Sequence, residues 1–360
     1  MKILHVVTLS ELGGSQSVVV NLTGQSIEDG HEVMVAASAT GELWNILSER
    51  VEKRPIKSLR RAIRLFRDFQ TFYELKKINR EFKPDVIHLH SSKIGVLGRL
   101  AFPRHKIIYT VHGFDSIRVV FRSYLPIERI LQSRAAHIVA VSQYDYKNLL
   151  FEGITQGVSW IYNGIEDYSI RTNSLLGNPE SHKRIIDEGS FSVLCIARIS
   201  PQKRFNLFCE VAKILANRGI KFYWIGNKEQ PTNLPSNVIC LGEIPHAHRH
   251  IPEANLLILP TNYEGMPISV IEALCYGIPV VASDVGGIKE ILDGTNGIAL
   301  PNDVEMFADR ILHYMEDQSY YQLSKKEARV SYLKNFTVSQ MYNSYKNLYE
   351  HIVNKDGLKY

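Results

Sequence analysis

The chain has 360 residues, of which 45% are hydrophobic and 22% are charged, and its formal net charge is +5. A chain of this length exceeds one typical hydrophobic core, so two domains are expected. The mild positive charge does not by itself indicate a nucleic-acid partner, and none is expected. No apolar run reaches 18 residues, and the first apolar stretch is too short for a signal peptide. We therefore expect a cytoplasmic protein without a membrane span.

The cysteines support the same compartment. Cys195, Cys209, Cys240 and Cys275 lie in apolar segments and show no CxxC spacing. Such residues are most simply reduced thiols in the core of a cytosolic protein.

The first half of the chain alternates apolar, strand-like runs with helical stretches. The runs are residues 3–7, 31–35, 85–90, 106–111, 136–142 and 158–162. Continuous apolar runs of this length are typical of buried parallel strands. The first run ends in a turn with Gly13 and Gly14, after which Ser15 opens a helix that extends to about residue 29. Glycine lets the backbone approach an anion closely, but this turn is not GxGxxG, which weighs against a nicotinamide site.

A strongly basic segment follows the second run. Seven of the fifteen residues 53–67 are basic and none is acidic. Apolar residues recur there at steps of three and four, which predicts a helix over residues 53–69 with a cationic face and an apolar stripe. Such a helix is either an ordinary solvated surface helix or an interfacial helix attracted to anionic lipid head groups or to a lipid-linked phosphate.

Histidines mark the ends of two of the predicted strands. His112 follows the run 106–111, at the strand end where open α/β sheets bind ligands. His88 and His90 alternate in the run 85–90 and so share one face of the strand. Two histidines without a third ligand in view make a weak case for a metal.

The strand and helix pattern breaks off at residues 166–190 and then starts again. The break is rich in Asn, Ser, Pro and charged residues, so we place the linker between domains there. We expect an N-terminal Rossmann-like domain at residues 1–165 and a C-terminal Rossmann-like domain at residues 191–334. A C-terminal helix at about residues 335–353 is expected to pack back on the first domain. The fold class is α/β, with the deepest cleft between the domains.

The most informative stretch of the sequence is residues 260–274. An apolar strand-like run ends there in a turn that contains Glu264, Gly265 and Met266, and Pro267 occupies a favoured first position of a helix. The unpaired amides of such a helix start attract phosphate or sugar oxygens. Glu272 lies eight residues after Glu264, about two helical turns on, so the two carboxylates are expected to contact different parts of one ligand.

Two basic residues lie after another predicted strand of the second half. Arg198 and Lys203 flank a strand-to-helix turn, where a guanidinium and an ammonium are suited to a diphosphate. Glu272 is placed to accept ribose hydroxyls, and Glu264 to contact a second sugar. These features together favour a nucleotide-sugar donor. The histidines of residues 246–250 lack ligand partners at metal spacing, and we interpret them as a surface loop.

The sequence resembles the GT-B glycosyltransferases of family 4 from Met1 to about Tyr342. The resemblance is carried by the E-x7-E motif from Glu264 to Glu272, by residues 277–283 and by Gly286 and Gly287. Weaker support comes from Gly13 and Gly14, from residues 111–113 and from Asn163, Gly164 and Ile165. One departure is Ala197, which stands where the family usually has a glycine before the arginine.

The resemblance implies a retaining transfer of a hexosyl or N-acetylhexosaminyl group from a UDP- or GDP-sugar, without a catalytic metal or other cofactor. It implies that the donor diphosphate is bound by Gly14, Arg198, Lys203, Gly265, Met266 and Pro267, and the ribose by Glu272. Glu264 and His112 would contact the donor sugar as the catalytic residues. Gly13, Ser15 and Asn163 are candidates for contacts to the acceptor or to other groups. The acceptor is expected to be a glycan or lipid-linked glycan of bacterial surface polysaccharide synthesis, at the inner face of the cytoplasmic membrane.

Two alternatives stay open from the sequence. A nucleotide-sugar epimerase or a phosphorylase also uses paired Rossmann-like domains and would isomerise or phosphorolyse its sugar substrate. A non-catalytic subunit would bind the sugar nucleotide without turnover. The sequence identifies neither the sugar, nor the acceptor, nor the oligomeric state.

Overall fold

The computed structural model describes residues 1–170 and 183–357, with the side chains of residues 355–357 left out, and divides the chain into two compact units. The first unit is Met1–Glu166 with Val338–Tyr360, and the second is Asp167–Thr337. The chain therefore changes unit at residue 167, and most of the expected linker 166–190 is counted in the second unit. Residues 171–182 of that linker lie outside the described residues.

The first unit contains one parallel sheet of seven strands. The strands are β1 (Lys2–Val7), β2 (Glu32–Ser38), β3 (Glu52–Ile56), β4 (Val86–His90), β5 (Ile107–Val111), β6 (His137–Ala140) and β7 (Val158–Trp160), in the order β3-β2-β1-β4-β5-β6-β7. The central strands β4 and β5 are buried along their whole length, as expected for strands covered on both faces. The sheet order reverses between β1 and β4, where the carboxyl ends of open α/β sheets form ligand sites.

The helices of the first unit connect successive strands. They are α1 (Gly14–Glu28), α2 (Leu43–Ile46), α3 (Leu65–Phe82), α4 (Ser92–Ala101), α5 (Leu125–Leu131) and α6 (Gln143–Phe151). Short 3₁₀ turns and a π-helical turn at Ser116–Val120 lie between some of them.

The C-terminal helix of the chain, Val338–Gly357, belongs to the first unit, and it begins three residues later than predicted. The Val338 amide donates to the Ile165 carbonyl oxygen at 2.7 Å, and the Tyr342 hydroxyl donates to Asp29 at 2.9 Å. Tyr345 is buried and its hydroxyl lies 3.0 Å from that of Thr110 in β5. The helix thereby adds its aromatic residues to the core of this unit.

The second unit repeats the architecture with six parallel strands. They are β8 (Phe191–Ile196), β9 (Ile220–Ile225), β10 (Val238–Cys240), β11 (Leu256–Leu259), β12 (Val280–Ser283) and β13 (Gly297–Leu300), in the order β10-β9-β8-β11-β12-β13. The helices are α7 (Phe205–Ile214), α8 (Ile268–Cys275), α9 (Ile288–Ile291), α10 (Val304–Glu316) and α11 (Gln318–Asn335), so that the C-terminal helix of the first unit is α12. Here the sheet order reverses between β8 and β11. The prediction of two Rossmann-like α/β domains is confirmed.

The predicted basic helix at residues 53–69 is wrong. Its first residues form the edge strand β3, in which Arg54 and Pro55 pair with Ala36 and Ala37 of β2. Proline lacks the amide that a helix interior needs, whereas an edge strand tolerates it. Ile56 and Leu59 are fully buried, and α3 begins only at Leu65. The apolar residues whose spacing predicted one helix therefore lie in three different elements, namely a strand, a turn and a helix.

The structure bears on two simpler expectations. Cys195, Cys240 and Cys275 are buried and Cys209 is half-buried, and all four are free thiols. No helix among the described residues combines the length and the apolar character that crossing a membrane requires.

Candidate active site

The loop between β11 and α8 carries the most specific sequence motif. Pro267 is extended, with φ −69° and ψ 124°, and caps α8, which begins at Ile268. Pro267 was predicted to be the first helical residue, whereas the structure places it one position earlier, at the N-cap. Proline has no N–H, so its contribution is to fix the entry of the helix rather than to donate to an anion. The amides of the first helical turn have no intrahelical acceptor and point out of the helix start.

Glu264, in this loop, is paired with Lys203. The Lys203 ammonium and the Thr261 hydroxyl both donate to the same carboxylate oxygen of Glu264, the latter at 2.9 Å. Only 20% of the Lys203 side chain and 10% of the Glu264 side chain are exposed, so this pair is more shielded from water than an ordinary surface ion pair. A residue predicted to bind diphosphate and a residue predicted to bind sugar are therefore in direct contact.

Hydrogen bonds between two loops bring this pair together. Lys203 ends a 3₁₀ turn, Pro201–Lys203, in the loop after β8. The Asn262 amide donates to the Gln202 carbonyl oxygen at 2.8 Å, and the Gln202 side chain donates to the Tyr263 carbonyl oxygen at 2.7 Å. Because β8 and β11 are neighbours in a parallel sheet, their carboxyl ends place the two loops side by side.

A third loop, after β12, holds the backbone of Glu264 in place. Gly286 has a positive φ of 59°, and a Cβ at this position would lie 1.9 Å from the Glu264 carbonyl oxygen. The next amide, that of Gly287, donates to the Gly265 carbonyl oxygen at 2.9 Å. Glycine is thus required by close backbone approach as well as by conformation. The sequence analysis used this glycine pair only as part of a motif and did not predict that it supports Glu264.

Arg198 lies in the loop after β8 and is exposed. No hydrogen-bond or ion-pair partner for its side chain is found in the described part of the chain, so its guanidinium is available for a ligand. The preceding residue, Ala197, does not have a positive φ, so its backbone conformation does not require a glycine. The close approach is made instead by Gly226, whose Cβ would lie 2.5 Å from the Ala197 carbonyl oxygen.

Glu272 lies in the second turn of α8 and is half-buried. Burial raises its pKa to about 7. Within residues 1–170 and 183–357 its carboxylate has no hydrogen-bond or ion-pair partner. A partly buried carboxylate with a raised pKa and no protein partner is a candidate ligand-binding group. Glu264 precedes the helix and Glu272 lies inside it, so the predicted difference in position along α8 is present.

His112, in the first unit, follows the carboxyl end of β5 and is half-buried. Gly113, with φ 111°, turns the chain, and the Phe114 amide then donates to Asp145 at 3.0 Å. Burial lowers the pKa of His112 to about 4, so the imidazole is neutral near pH 7. Its Nε2 lies 3.3 Å from Nδ1 of His90.

The remaining candidate residues of the first unit lie at the start of α1 and after β7. Gly13 caps α1 and is exposed, as is Gly14. The Ser15 hydroxyl donates to the Gln16 side chain at 3.0 Å. Asn163 is buried and has an interaction within the protein. Gly13, Gly14 and Ser15 are therefore exposed or half-exposed, whereas Asn163 is shielded from solvent.

The histidines of residues 246–250 are engaged with other side chains. His250 contacts Glu253 at 2.7 Å, and His248 contacts the Tyr276 hydroxyl at 3.2 Å and stacks on Tyr168. Within the described residues, the group of potential ligands with metal-like spacing is a different one, namely His5, His88 and His90. The sequence analysis noted the last two and missed His5.

The chain is similar to known glycosyltransferases along most of its length. A family model described as Glycosyltransferase Family 4 matches residues 12–167, and one described as Glycosyl transferases group 1 matches residues 190–317. Together they include both loops that carry Arg198, Lys203 and Glu264. The chain belongs to the group 1, family 4 glycosyltransferases.

Individual relatives support this assignment. UDP-Gal:alpha-D-GlcNAc-diphosphoundecaprenol alpha-1,3-galactosyltransferase of Escherichia coli is 24% identical, over 99% of this chain and 98% of that enzyme. The capsular polysaccharide biosynthesis glycosyltransferase CapM of Staphylococcus aureus is 24% identical, over 88% of each chain. The solved structure of Anabaena HepE in complex with UDP-glucose is 19% identical, with a TM-score of 0.79 over 98% of this chain and 100% of that one. That structural likeness shows the GT-B fold.

Proposed function

We propose that this glycosyltransferase moves a sugar from a UDP-sugar to a lipid-linked glycan in bacterial surface polysaccharide synthesis, with retention of the anomeric configuration. The observation that carries the proposal is the Lys203–Glu264 pair before the start of α8, in the same unit as Arg198 and Glu272, whose side chains have no partner among the described residues. The choice of UDP rests on the relatives, because the Escherichia coli enzyme is named for UDP-Gal and HepE was solved with UDP-glucose.

The charges of the site suit the departure of a nucleoside diphosphate. When the bond between the sugar and the phosphate breaks, negative charge develops on the diphosphate and positive charge on the sugar ring. We assign stabilisation of the diphosphate to Arg198, Lys203 and the first-turn amides of α8, because fixed donors act most strongly where charge develops. Glu264 contacts the sugar, and Lys203 then turns from Glu264 to the diphosphate. Glu272 accepts the ribose hydroxyls, and His112 contacts the donor sugar.

We further propose that these cations make a divalent metal unnecessary for transfer. An Arg and a Lys at the diphosphate supply the positive charge that metal ions supply in other transferases. The test is turnover in excess EDTA, compared with added Mg²⁺ and Mn²⁺. Activity that disappears with EDTA and returns with a metal would contradict this part of the proposal.

Retention is proposed from the resemblance to the retaining family 4 glycosyltransferases, and the two glutamates of the motif are not arranged as the carboxylate pair that a glycosidase uses. In glycosidases, two carboxylates flank the scissile bond at a short separation. Here Glu264 lies before α8 and is bound to Lys203, whereas Glu272 lies in the second turn. The anomeric configuration of the product, read by NMR against that of the donor, tests this assignment, and inversion would refute it.

The decisive experiment is a nucleotide-release screen of the purified protein against UDP-, GDP- and ADP-sugars, with and without a lipid-linked acceptor. We expect release of UDP that depends on the acceptor. Glu264→Gln should lower this rate at least about 10²-fold, because it removes charge at the reacting sugar, while the exposed Glu210→Gln control stays normal. An isomerised donor would indicate an epimerase, and donor binding without turnover would indicate a non-catalytic subunit.

An exposed apolar segment of the first unit is consistent with an amphiphilic acceptor. The π-helical turn Ser116–Val120 follows His112 closely. Val119, Phe121 and Tyr124 are 61%, 52% and 43% exposed. Apolar side chains beside a candidate catalytic histidine suit a lipid-linked acceptor better than a free sugar.

A second exposed patch supports docking of the enzyme to the inner face of the cytoplasmic membrane. Although the predicted helix 53–69 does not form, the turn before α3 and the start of α3 carry exposed apolar and basic residues together. We call this the α3 patch, and it consists of Ile63, Leu65, Phe66, Phe69 and Tyr73 with Arg60, Arg61, Arg64 and Arg67. Leu65 and Phe66 are 85% and 75% exposed.

The charge around the α3 patch selects the proposed occupant. The one acidic residue between residues 60 and 70 is Asp68, and it is paired with Lys93 at 2.6 Å. The Lys93 ammonium also donates to the Ala62 carbonyl oxygen at 2.6 Å, which holds the turn against α4. The arginines of the patch are therefore not neutralised by this acid, and a basic rim around apolar side chains matches an anionic lipid surface.

Vesicle binding tests the α3 patch. We expect the protein to sediment with phosphatidylglycerol-containing vesicles and much less with neutral phosphatidylcholine vesicles. Phe66→Ser with Phe69→Ser should weaken binding about tenfold or more, because two apolar anchors are lost. Phe151→Ser, at a side chain of the same unit that is 83% exposed, is the control. Equal binding to both vesicle types, or equal loss in the control, would contradict membrane docking.

A further inference from the structure

Four histidines of the first unit lie next to one another, three on the central strands β1 and β4 and one, His112, directly after β5. His5 of β1 is paired with His88 of β4, and His90 of β4 is paired with Thr110 of β5, two residues before His112. His5, His88 and His90 are fully buried. A lone histidine in a core strand is unremarkable, but a row that ends at a candidate catalytic residue calls for a physical account.

Three of these histidines form a continuous hydrogen-bonded chain. Nδ1 of His5 lies 3.0 Å from Nε2 of His90, and Nδ1 of His90 lies 3.3 Å from Nε2 of His112. The rings of His5 and His90, and those of His90 and His112, are stacked at 5.3 and 5.5 Å between centroids. The buried end of the chain is His5, and its outer end is His112.

His88 has separate partners. Its Nδ1 lies 2.8 Å from the Tyr349 hydroxyl, and its Nε2 lies 2.7 Å from the Thr110 hydroxyl. It therefore contacts the histidine chain through ring packing, with 3.8 Å between its centroid and that of His90. This makes His88 a neighbour of the chain that is not one of its links.

The histidine chain formed by His5, His90 and His112 is neutral, so each ring carries one proton and each hydrogen bond between rings has a direction. Burial lowers the pKa of His5 to about 3 and that of His112 to about 4, and holds the pKa of His90 well below its usual value. A neutral imidazole donates through one nitrogen and accepts through the other. The three rings must therefore all donate outward, from His5 to His112, or all donate inward.

The buried end of the chain decides between the two directions. Nε2 of His5 is buried and has no hydrogen-bond partner among the described residues. If the chain donated inward, this nitrogen would carry a proton without an acceptor, which is the rarer and costlier kind of unsatisfied group. If the chain donates outward, the same atom holds only a lone pair. The outward direction is therefore favoured, with Nδ1–H of His5 donating to His90 and Nδ1–H of His90 donating to His112.

We propose that His5 and His90 are positioning residues that fix the ring and the tautomer of His112, so that His112 carries its proton on Nδ1 and offers that N–H to a ligand oxygen. Nε2 of His112 accepts from His90, and Nδ1 has no partner among the described residues. The ligand class is an uncharged oxygen acceptor, such as a sugar hydroxyl. The ligand part rests on the function proposed above for His112, whereas the tautomer does not.

A metal ion bound by His5, His88 and His90 is the competing interpretation. Their nearest ligand atoms lie within 4.8 Å of one another. However, both nitrogens of His88 are engaged by hydroxyl groups and both nitrogens of His90 by imidazoles. A metal would have to displace several of these hydrogen bonds, whereas the chain uses all of them.

The test reads the tautomer of His112 directly, in the full-length protein labelled with ¹⁵N-histidine and without substrate. Long-range ¹H–¹⁵N spectra distinguish a protonated imidazole nitrogen from an unprotonated one, and the signals of His112 are those lost in His112→Gln. We expect protonated Nδ1 in the wild type and loss of this fixed tautomer in His90→Leu. His88→Leu is the matched control, because it removes a neighbouring buried ring of the same strand and leaves the chain intact.

Turnover gives the second measurement. His90→Leu should lower kcat about tenfold, the worth of one hydrogen bond, with little change in the donor KM. His90→Gln should recover part of the rate, because an amide can donate to His112. If the tautomer changes in His90→Leu and kcat does not, the positioning of His112 by the histidine chain is supported and the role proposed for His112 in turnover is contradicted.

Three results would overturn the proposal. They are protonated Nε2 on His112 in the wild type, equal loss of the tautomer in His88→Leu and His90→Leu, and stoichiometric metal in the purified protein whose removal changes the spectra of His5, His88 and His90. The first and third do not depend on His90→Leu, so the proposal is tested even if that variant does not fold.

Discussion

The two candidate sites of this glycosyltransferase use polar groups in opposite ways. In the second unit, Lys203 and Glu264 form an ion pair, and Arg198 lies in the same loop as Lys203. In the first unit, His112, His90 and His5 are neutral and are linked by hydrogen bonds. The site in the second unit therefore presents charged groups to a charged ligand, whereas the site in the first unit fixes which nitrogen of His112 carries the proton.

The difference suggests a division of labour within one reaction. A charged pair can exchange its partner when a charged ligand arrives, so the second unit suits the diphosphate, whose charge changes during transfer. The buried, neutral histidine chain stabilises a change in ligand charge poorly, because ionising one of its rings would bury an unpaired cation. It suits the uncharged hydroxyls of a sugar instead. Substitutions in the two sites should therefore differ in how strongly they change turnover and in how their effects depend on pH.

The largest effect is expected for Lys203→Met, which breaks the charged site. It removes a cation from the diphosphate and leaves Glu264 without its ion-pair partner, so kcat/KM should fall about 10²- to 10³-fold. Steady-state kinetics with the best donor measure this loss. Lys221→Met is the matched control, because Lys221 forms an exposed ion pair with Asp187 in the same unit. A loss below about threefold in Lys203→Met would remove Lys203 from the site.

Gly286→Ala should have the next largest effect, because it tests whether the backbone beneath Glu264 must be held. The new Cβ would collide with the Glu264 carbonyl oxygen and push the loop outward, and kcat should fall about tenfold or more. Gly294→Ala is the matched control, since Gly294 also has a positive φ, of 94°, but nothing lies within 4 Å of its Cβ position. Both variants should lose stability, and Gly286→Ala alone should lose turnover. Equal kinetics in the two variants would refute the supporting role of Gly286.

The charged site was largely predictable from the sequence. Its residues lie in a specific motif at strand ends, and the apolar runs of β8, β11 and β12 locate those ends without structural information. The contact between Lys203 and Glu264 was not predicted, because it depends on which strands are neighbours in the sheet. Sequence separation says nothing about that order, in which β11 lies beside β8 rather than beside β10.

The hydrogen-bonded chain of His5, His90 and His112 was not predicted from the sequence. His88 and His90 were noted because they alternate within one strand, but His5 lies in β1, and only the register between β1 and β4 places it opposite His88. The edge strand β3 was mistaken for part of a helix because Ile56 continues the three- and four-residue spacing of the apolar residues that follow it. Both failures concern pairing between strands, which is set by contacts between residues distant in the chain.

The pH dependence of stability also separates the two sites. Glu272 has a folded pKa of about 7 against 4.5 ordinarily, so the folded protein keeps this proton while the unfolded chain loses it. Glu272 thus lowers the free energy of unfolding as pH rises from about 4.5 to 7, by at most about 3 kcal/mol. The histidines act in the opposite direction. Burial lowers the pKa of His5 and His112 from 6.5, so stability is lost as pH falls below about 6.5.

Urea unfolding of the wild type and Glu272→Gln between pH 5 and 8 distinguishes these contributions. The variant should gain stability relative to the wild type at pH 8 and little at pH 5, because glutamine removes the buried charge and keeps the shape. The loss of stability on the acidic side, which comes from the histidines, should persist in both proteins. Glu210→Gln, at an exposed glutamate of α7, should leave the curve unchanged. A difference between wild type and Glu272→Gln that does not vary with pH would show that Glu272 is not desolvated, and the contrast between a charged and a neutral site would then rest on Lys203, Glu264 and the histidine chain.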